Sequence, residues 1–156
     1  MSECSPLPRD AVRTMTGLEL MRGMADGSFP GAPIGRLMNM RGVEAGPGFI
    51  VFEAIPGPEH YNPLGTVHGG FAATLLDSAM GCAVHTTLAA GTGYTSIDIN
   101  VTYVRAITSA TGPVTARGEV INVGRRVGTA RGTLTDASGK LLAHGTTSCL
   151  IFEMPA

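Results

Sequence analysis

Tryptophan is absent from this 156-residue chain, and lysine occurs once, at Lys140. Charged residues reach only 15%, against roughly 25% in ordinary soluble domains. With 44% hydrophobic residues and a mean hydropathy of +0.21, that scarcity excludes a disordered chain, which needs the opposite balance. Long apolar runs are missing too. The most apolar stretch, 71–90, is interrupted by Asp77, Ser78 and His85, so nothing approaches the ~18 uninterrupted residues of a membrane span. The three cysteines, Cys4, Cys82 and Cys149, form no CxxC or zinc-type pattern, and His60, His85 and His144 have no metal-ligand spacing. No disulfide framework, metal or cofactor is therefore expected. The first fifteen residues hold no apolar segment of the signal-peptide kind, and a reduced, cytoplasmic protein is the expectation.

Glycine is what the chain has in excess, 22 residues or about twice the usual ~7%, without the Gly-X-Y period of collagen. Few charges and much glycine raise the question of what covers the apolar surface. The length suits one domain with a real core and is too short for two typical ones. It reads as a leading helix with its lead-in, residues 1–33, followed by a principal domain, 34–156.

Residues 10–26 have helical spacing, with Val12, Met15, Leu18 and Met21 as the apolar stripe, ended by Gly27, Pro30 and Pro33. Residues 34–44 and 49–55 read as strands around an Ala-Gly-Pro-Gly turn, and 56–64 as a loop. Residues 71–90 are apolar on nearly every face, which predicts a buried helix. Four strands follow. The first carries the alternation Thr95, Ile97, Ile99, Val101, Tyr103; the others cover 114–123, 127–135 and 140–152, the last two joined by a turn at 136–139. Short turns favour antiparallel pairing, so the expected fold is α+β: one antiparallel sheet wrapped around one long central helix.

Charge is unevenly spread. Residues 1–104 carry five basic and nine acidic residues, whereas 105–140 carry six basic and two acidic. That local excess is too small for a nucleic-acid footprint but suits a small phosphorylated ligand.

Asp77 stands out because Leu75, Leu76, Ala79 and Met80 surround it. A carboxylate in such company is costly unless paired, and it is a candidate general base or nucleophile. His68-Gly69-Gly70 lies where loop turns into helix, where free N–H groups and the positive dipole end gather. Glycine there lets a ligand oxygen come close, as an oxyanion site requires.

The stretch Asn62-Pro-Leu-Gly-Thr-Val-His68-Gly69-Gly70 followed by Asp77 resembles the hotdog-fold acyl-CoA thioesterases of the phenylacetate-pathway (PaaI) type. So do 94–103, Tyr-Thr-Ser-Ile-Asp-Ile-Asn-Val-Thr-Tyr, and 134–145, which includes His144-Gly145. The resemblance spans about 34–152. It implies hydrolysis of an acyl-CoA by a cofactor-free homodimer, or a dimer of dimers, with sites at the dimer interface. It implies Asp77 as base or nucleophile, the Gly69 N–H on the thioester oxygen, Asn62 orienting the substrate, His68 ordering the helix start, and Ser96 placing the attacking water. Strand alternation puts Thr95 rather than Ser96 on the face of Ile97 and Ile99, so both stay candidates. The coenzyme A path would run past Gly70, Tyr103 to Thr108 and 122–127. Arg125 and Arg126, with Asn122 and Gly124 beside them, are the best phosphate contacts, and Arg105 a weaker one.

Gly69 and Asp77 are eight residues apart, ~12 Å along a helix axis. A donor and a base must both lie ~3 Å from one reacting carbonyl, so a two-fold pair of antiparallel helices is expected to bring Gly69 of one copy to Asp77 of the other. Two other functions fit the same fold: a non-catalytic acyl-CoA binder, and an enoyl-thioester hydratase or dehydratase.

Overall fold

A computed structural model describes residues 4–155. Six strands form one antiparallel sheet: β1 (Met40–Gly46), β2 (Phe49–Ala54), β3 (Thr92–Tyr103), β4 (Val114–Val123), β5 (Val127–Asp136) and β6 (Leu141–Glu153). Their order across the sheet is β1-β2-β4-β5-β6-β3, so β3 forms one edge. The helix α4 (Gly69–His85) lies across the inner face. This is the α+β architecture expected from the sequence.

Helix and sheet meet closely because glycine clears the way. Gly118, Gly132 and Gly145 pair across β4, β5 and β6 as one row. A Cβ on Gly118 would overlap the Ala79 carbonyl oxygen, and one on Gly132 would lie 2.9 Å from Met80 Cγ. With no side chains at Gly118 and Gly132, α4 settles onto the strand backbones, whereas Gly145 sits against the Asn100 carbonyl of β3. Leu75, Leu76 and Met80 then interlock with Ile50, Val114 and Leu134, all of them fully buried.

Several element boundaries differ from the sequence expectation. The N-terminal helix is two helices, α1 (Arg9–Thr14) and α2 (Gly17–Asp26). Thr16 divides them through a capping box: its N–H donates to Glu19 Oε2 at 2.7 Å, and its hydroxyl accepts the Glu19 N–H. The restart at Gly17 changes the helical phase, so Leu20 and Met21 enter the core while Leu18 stays half-buried. Residues 34–44 are not one strand. Pro33 opens the short helix α3 (Pro33–Leu37) from a first-turn position that suits its fixed φ. Asn39, at φ +46°, then turns the chain into β1. The central helix ends at His85 rather than Ala90, because the Thr86 and Thr87 hydroxyls bond back to the carbonyls of Ala83 and Val84.

β3 contains a bulge. It pairs with β6 as Ser96↔Cys149 and then Asp98↔Ser148, leaving Ile97 as the extra residue. Among the described residues, no helix is long and apolar enough to cross a membrane.

Candidate active site

The start of α4 is built by His68. Its backbone is extended, and its Nδ1 accepts the Gly70 N–H at 2.8 Å, which leaves the proton of a neutral ring on Nε2. Its carbonyl accepts the Phe71 N–H at 2.9 Å, and its own N–H donates to the His60 carbonyl at 2.8 Å. Two of the first three helical N–H groups are thus occupied. The Gly69 N–H has no partner among the described residues and carries the positive end of the helix dipole. Gly70, whose N–H is spent on the cap, helps hold the turn and offers no second free donor.

Gly69 faces a cleft of about 270 Å³ that Val67, Tyr103, Arg105 and Ile107 also line. The Tyr103 ring packs on it so closely that a Cβ at Gly69 would meet Tyr103 Cζ at 3.0 Å. Asn62 shapes the loop ahead of the helix. Its Oδ1 accepts the N–H groups of Leu64 at 2.9 Å and Thr66 at 3.4 Å, and its Nδ2 donates to Thr66 Oγ1 at 2.9 Å. One amide hydrogen of Asn62 remains for a ligand. Thr66 is a partner the sequence reading passed over, although an Asn-Pro-x-Gly turn is a pattern that signals such side-chain bonding.

Asp77 lies two turns further along α4, half-buried, and its Oδ1 accepts the Ser96 hydroxyl at 2.8 Å. Ser96, not Thr95, therefore meets the carboxylate. The alternation argument for Thr95 fails because the bulge at Ile97 reverses the phase of β3, so that Thr95 is exposed on the other face. Ala73, Thr74, Ile97 and Ile99 join this pair in lining a cleft of about 440 Å³. Beneath Ser96 lies Cys149, fully buried and directly opposite it in the ladder.

The thiols near Asp77 are poor nucleophiles. Burial pushes the Cys82 thiol up to about 11, despite the Tyr94 hydroxyl at 3.6 Å, and burial raises Cys149 as well. Burial also raises Tyr94 well above the ordinary phenol range and lowers His85, whose ring packs against Tyr94 at 5.3 Å.

Gly69 and Asp77 thus open into two different clefts of one chain, eight residues apart on α4. The first cleft offers an unoccupied N–H donor and the second a hydrogen-bonded carboxylate, the two kinds of group that acyl-transfer chemistry calls for.

The basic residues divide likewise. Arg125 and Arg126 sit exposed in the β4–β5 turn, which the Gly124 N–H closes on the Val127 carbonyl at 2.8 Å, and they make no ion pair among the described residues. The exposed Asn122 adjoins this turn, its carbonyl accepting the Thr129 hydroxyl at 3.3 Å. Val127 pairs with Leu150 and Leu150 with Thr95, which puts the turn at the Ser96 end of the sheet. Arg105 stands at the opposite end beside Gly69, its guanidinium donating to the Leu141 carbonyl at 2.6 Å. Arg117 and Arg131 both pair with Glu119, at 2.8 and 3.1 Å, which accounts for two of the excess basic residues. No group of three or more His, Cys, Asp or Glu among the described residues could hold a metal ion.

Comparison with known proteins adds to this geometry. The family model described as the thioesterase superfamily matches residues 64–143, from the loop before α4 into β6. Acyl-coenzyme A thioesterase 13 of Homo sapiens is 34% identical over 104 residues, 66% of this chain and 73% of that protein. Among solved structures, a putative thioesterase from Ralstonia eutropha, described as phenylacetic acid degradation-related, matches with TM-score 0.75 and 23% identity over 83% of this chain and 98% of its own. A thioesterase from Haemophilus influenzae matches with TM-score 0.74 and 21% identity over 92% and 96%. At those identities, the two structures speak for a shared hotdog fold.

Proposed function

The chain belongs to the thioesterase superfamily, and from that premise we propose that it hydrolyses acyl-CoA thioesters to the free acid and coenzyme A, at sites completed by a second copy of itself. The observation that carries this reading is the separation just described: a free oxyanion donor at Gly69 and a carboxylate–hydroxyl pair at Asp77 and Ser96, in clefts one chain cannot join. Two α4 helices set antiparallel about a two-fold axis bring Gly69 of each copy to Asp77 of the other. The outer edge of β3, with Ile97, Ile99 and Tyr103 exposed, and the half-buried Ala73 and Thr74 of α4 supply the surface such a partner would cover.

In this site the thioester oxygen takes the Gly69 N–H and the remaining Asn62 amide hydrogen lies to hand for the substrate. Asp77 then follows one of two courses. It accepts a proton from a water held by Ser96 while that water attacks the carbonyl, or its own oxygen attacks and forms a mixed anhydride that water later cleaves. In both, negative charge gathers on the oxygen at Gly69 and coenzyme A leaves as a thiolate that picks up a proton. Arg125 and Arg126 are placed to meet the nucleotide phosphates, with Tyr103 and Arg105 along the approach. No cofactor enters the scheme, since coenzyme A is part of the substrate, and a cytoplasmic setting accords with a sequence whose three cysteines form no disulfide-framework pattern.

A hydratase would call for a histidine working beside a carboxylate in one pocket. Here the His68 ring is committed to Gly70, His85 is packed against Tyr94, and the carboxylate that shares a cleft with His144, Glu119, is held in ion pairs by Arg117 and Arg131. The test is thiol release across a panel of acyl-CoAs, with Asp77→Ala as the control. Release by the native protein and its loss in the variant support the reading; equal release by both, or none by either, overturns it.

A further inference from the structure

Ser96 and Tyr103 are seven residues apart in β3, an odd number. In a regular strand they would point to opposite faces. Yet Ser96 meets Asp77 and Tyr103 packs on Gly69, and both of those partners lie on α4. The extra residue Ile97 makes this possible, because one bulge turns odd spacing into a shared face. Both halves of the proposed site therefore depend on the bulge staying where it is.

We propose that Asp98 and Thr147 are positioning residues, which pin the bulge and thereby aim the Ser96 hydroxyl at Asp77. The Asp98 Oδ1 accepts the N–H of Ser148, its ladder partner, at 2.8 Å. The Asp98 carbonyl accepts the Thr147 hydroxyl at 2.6 Å. Thr147 is 2% exposed, so its hydroxyl has little access to water as an alternative partner. Asp98 itself is exposed and could face solvent freely, yet its carboxylate turns back onto β6. These two bonds clamp the residue that follows the bulge from two directions. A slip of the register by one residue would turn Ser96 to the outer face. Asp98 borders the same cleft as Asp77 and Ser96, but its carboxylate is bonded to the Ser148 N–H, and both residues act through Ser96.

The inference rests on the reading of Asp77 and Ser96 as part of a thioester-hydrolysing site, and its test separates the two. Asp98→Ala, Asp98→Asn, Ser96→Ala and the Asp98→Ala/Ser96→Ala double variant are compared on an acyl-CoA the native protein hydrolyses. Asp98→Ala is expected to lower kcat about tenfold with little change in KM, the scale of one lost hydrogen bond. Asp98→Asn keeps an Oδ1 acceptor and should retain most of kcat. The double variant should be no slower than Ser96→Ala alone, because the effect passes through that hydroxyl. Multiplying losses in the double variant, or equal loss in Asp98→Asn and Asp98→Ala, overturns the proposal. A second readout does not need turnover. The Asp77 side-chain carboxyl ¹³C resonance should move in Asp98→Ala as it does in Ser96→Ala, and no further in the double variant. A resonance unmoved in folded Asp98→Ala overturns the positioning role even if hydrolysis is sound; a native protein with no hydrolysis overturns the function while that resonance still reports on Ser96.

Discussion

Ser96 donates its hydroxyl to Asp77 at 2.8 Å across the seam between β3 and α4, and the other carboxylate oxygen has no hydrogen bond among the described residues. One oxygen is held and one is left to act. Replacing Asp77 by Asn preserves the shape and removes the base, so kcat should fall by roughly 10² to 10⁴. Ser96→Ala should cost less, about tenfold, as a single charge-assisted bond would. Steady-state kinetics checks both; Asp77→Asn within twofold of native kcat would contradict the assignment.

Gly69→Pro removes the free N–H and requires the neighbouring Tyr103 ring to give way. Gly69 is the first residue of α4, where proline is tolerated, and His68 at φ −60°, ψ 139° already has the conformation that precedes proline. The tight neighbour is Tyr103, half-exposed and able to shift. Loss of roughly 10² to 10³ in kcat is expected with the circular dichroism spectrum unchanged. A folded variant with native turnover would show that the oxyanion is held elsewhere.

Burial lowers the His85 imidazole below its ordinary 6.5. In the window just below 6.5 the unfolded chain therefore binds a proton that the folded chain does not. Stability rises with pH there and is lost as pH falls through 6.5, by up to ~1.4 kcal/mol per unit. Glu19 and Asp26, whose carboxyls are lowered by hydrogen bonds to Thr16 and Ser28, lose stability on acidification only below 4.5 and 3.8. Thermal melts should fall between about pH 7 and pH 5.5, and His85→Gln should flatten the fall. An unchanged slope in that variant would exclude His85 as its source.

Gly118→Ala places a methyl group onto the Ala79 carbonyl oxygen, with buried backbone on both sides. The cost should be about 3 kcal/mol or more, equivalent to a fall in Tm of roughly 6–12 °C. A native Tm by calorimetry would mean that α4 does not rest on the glycine row.

Much of this arrangement is legible in the amino-acid sequence, because local pattern and tertiary role coincide. The apolar run after His68 does form the buried helix, and the turn at Asp136 does join the last two strands, its carboxylate accepting the N–H groups of Ser138 and Lys140. Expectation fails where one residue overrides a periodic pattern. Thr16 breaks a helix whose apolar spacing runs on through it, and Pro33 starts a helical turn inside a strand-like stretch. The bulge at Ile97 is harder still to foresee. Residues 95–103 alternate cleanly, and the bonds that favour the extra residue come from Thr147 and Ser148, some fifty positions away. The glycine excess proves to be partly a packing device, seen in the row that admits α4. The low charge is in keeping with the proposed pairing of two copies.

The shared site is tested most directly by mixing two inactive proteins, Asp77→Asn and Gly69→Pro. Random reassortment should yield hybrid dimers in which one of the two sites has a native Gly69 from one copy and a native Asp77 from the other. With subunit exchange verified by native mass spectrometry, thiol release should return to about a quarter of the native rate, since half the dimers are hybrids and each has one intact site. Proven exchange with no recovery of activity would contradict a site divided between two copies.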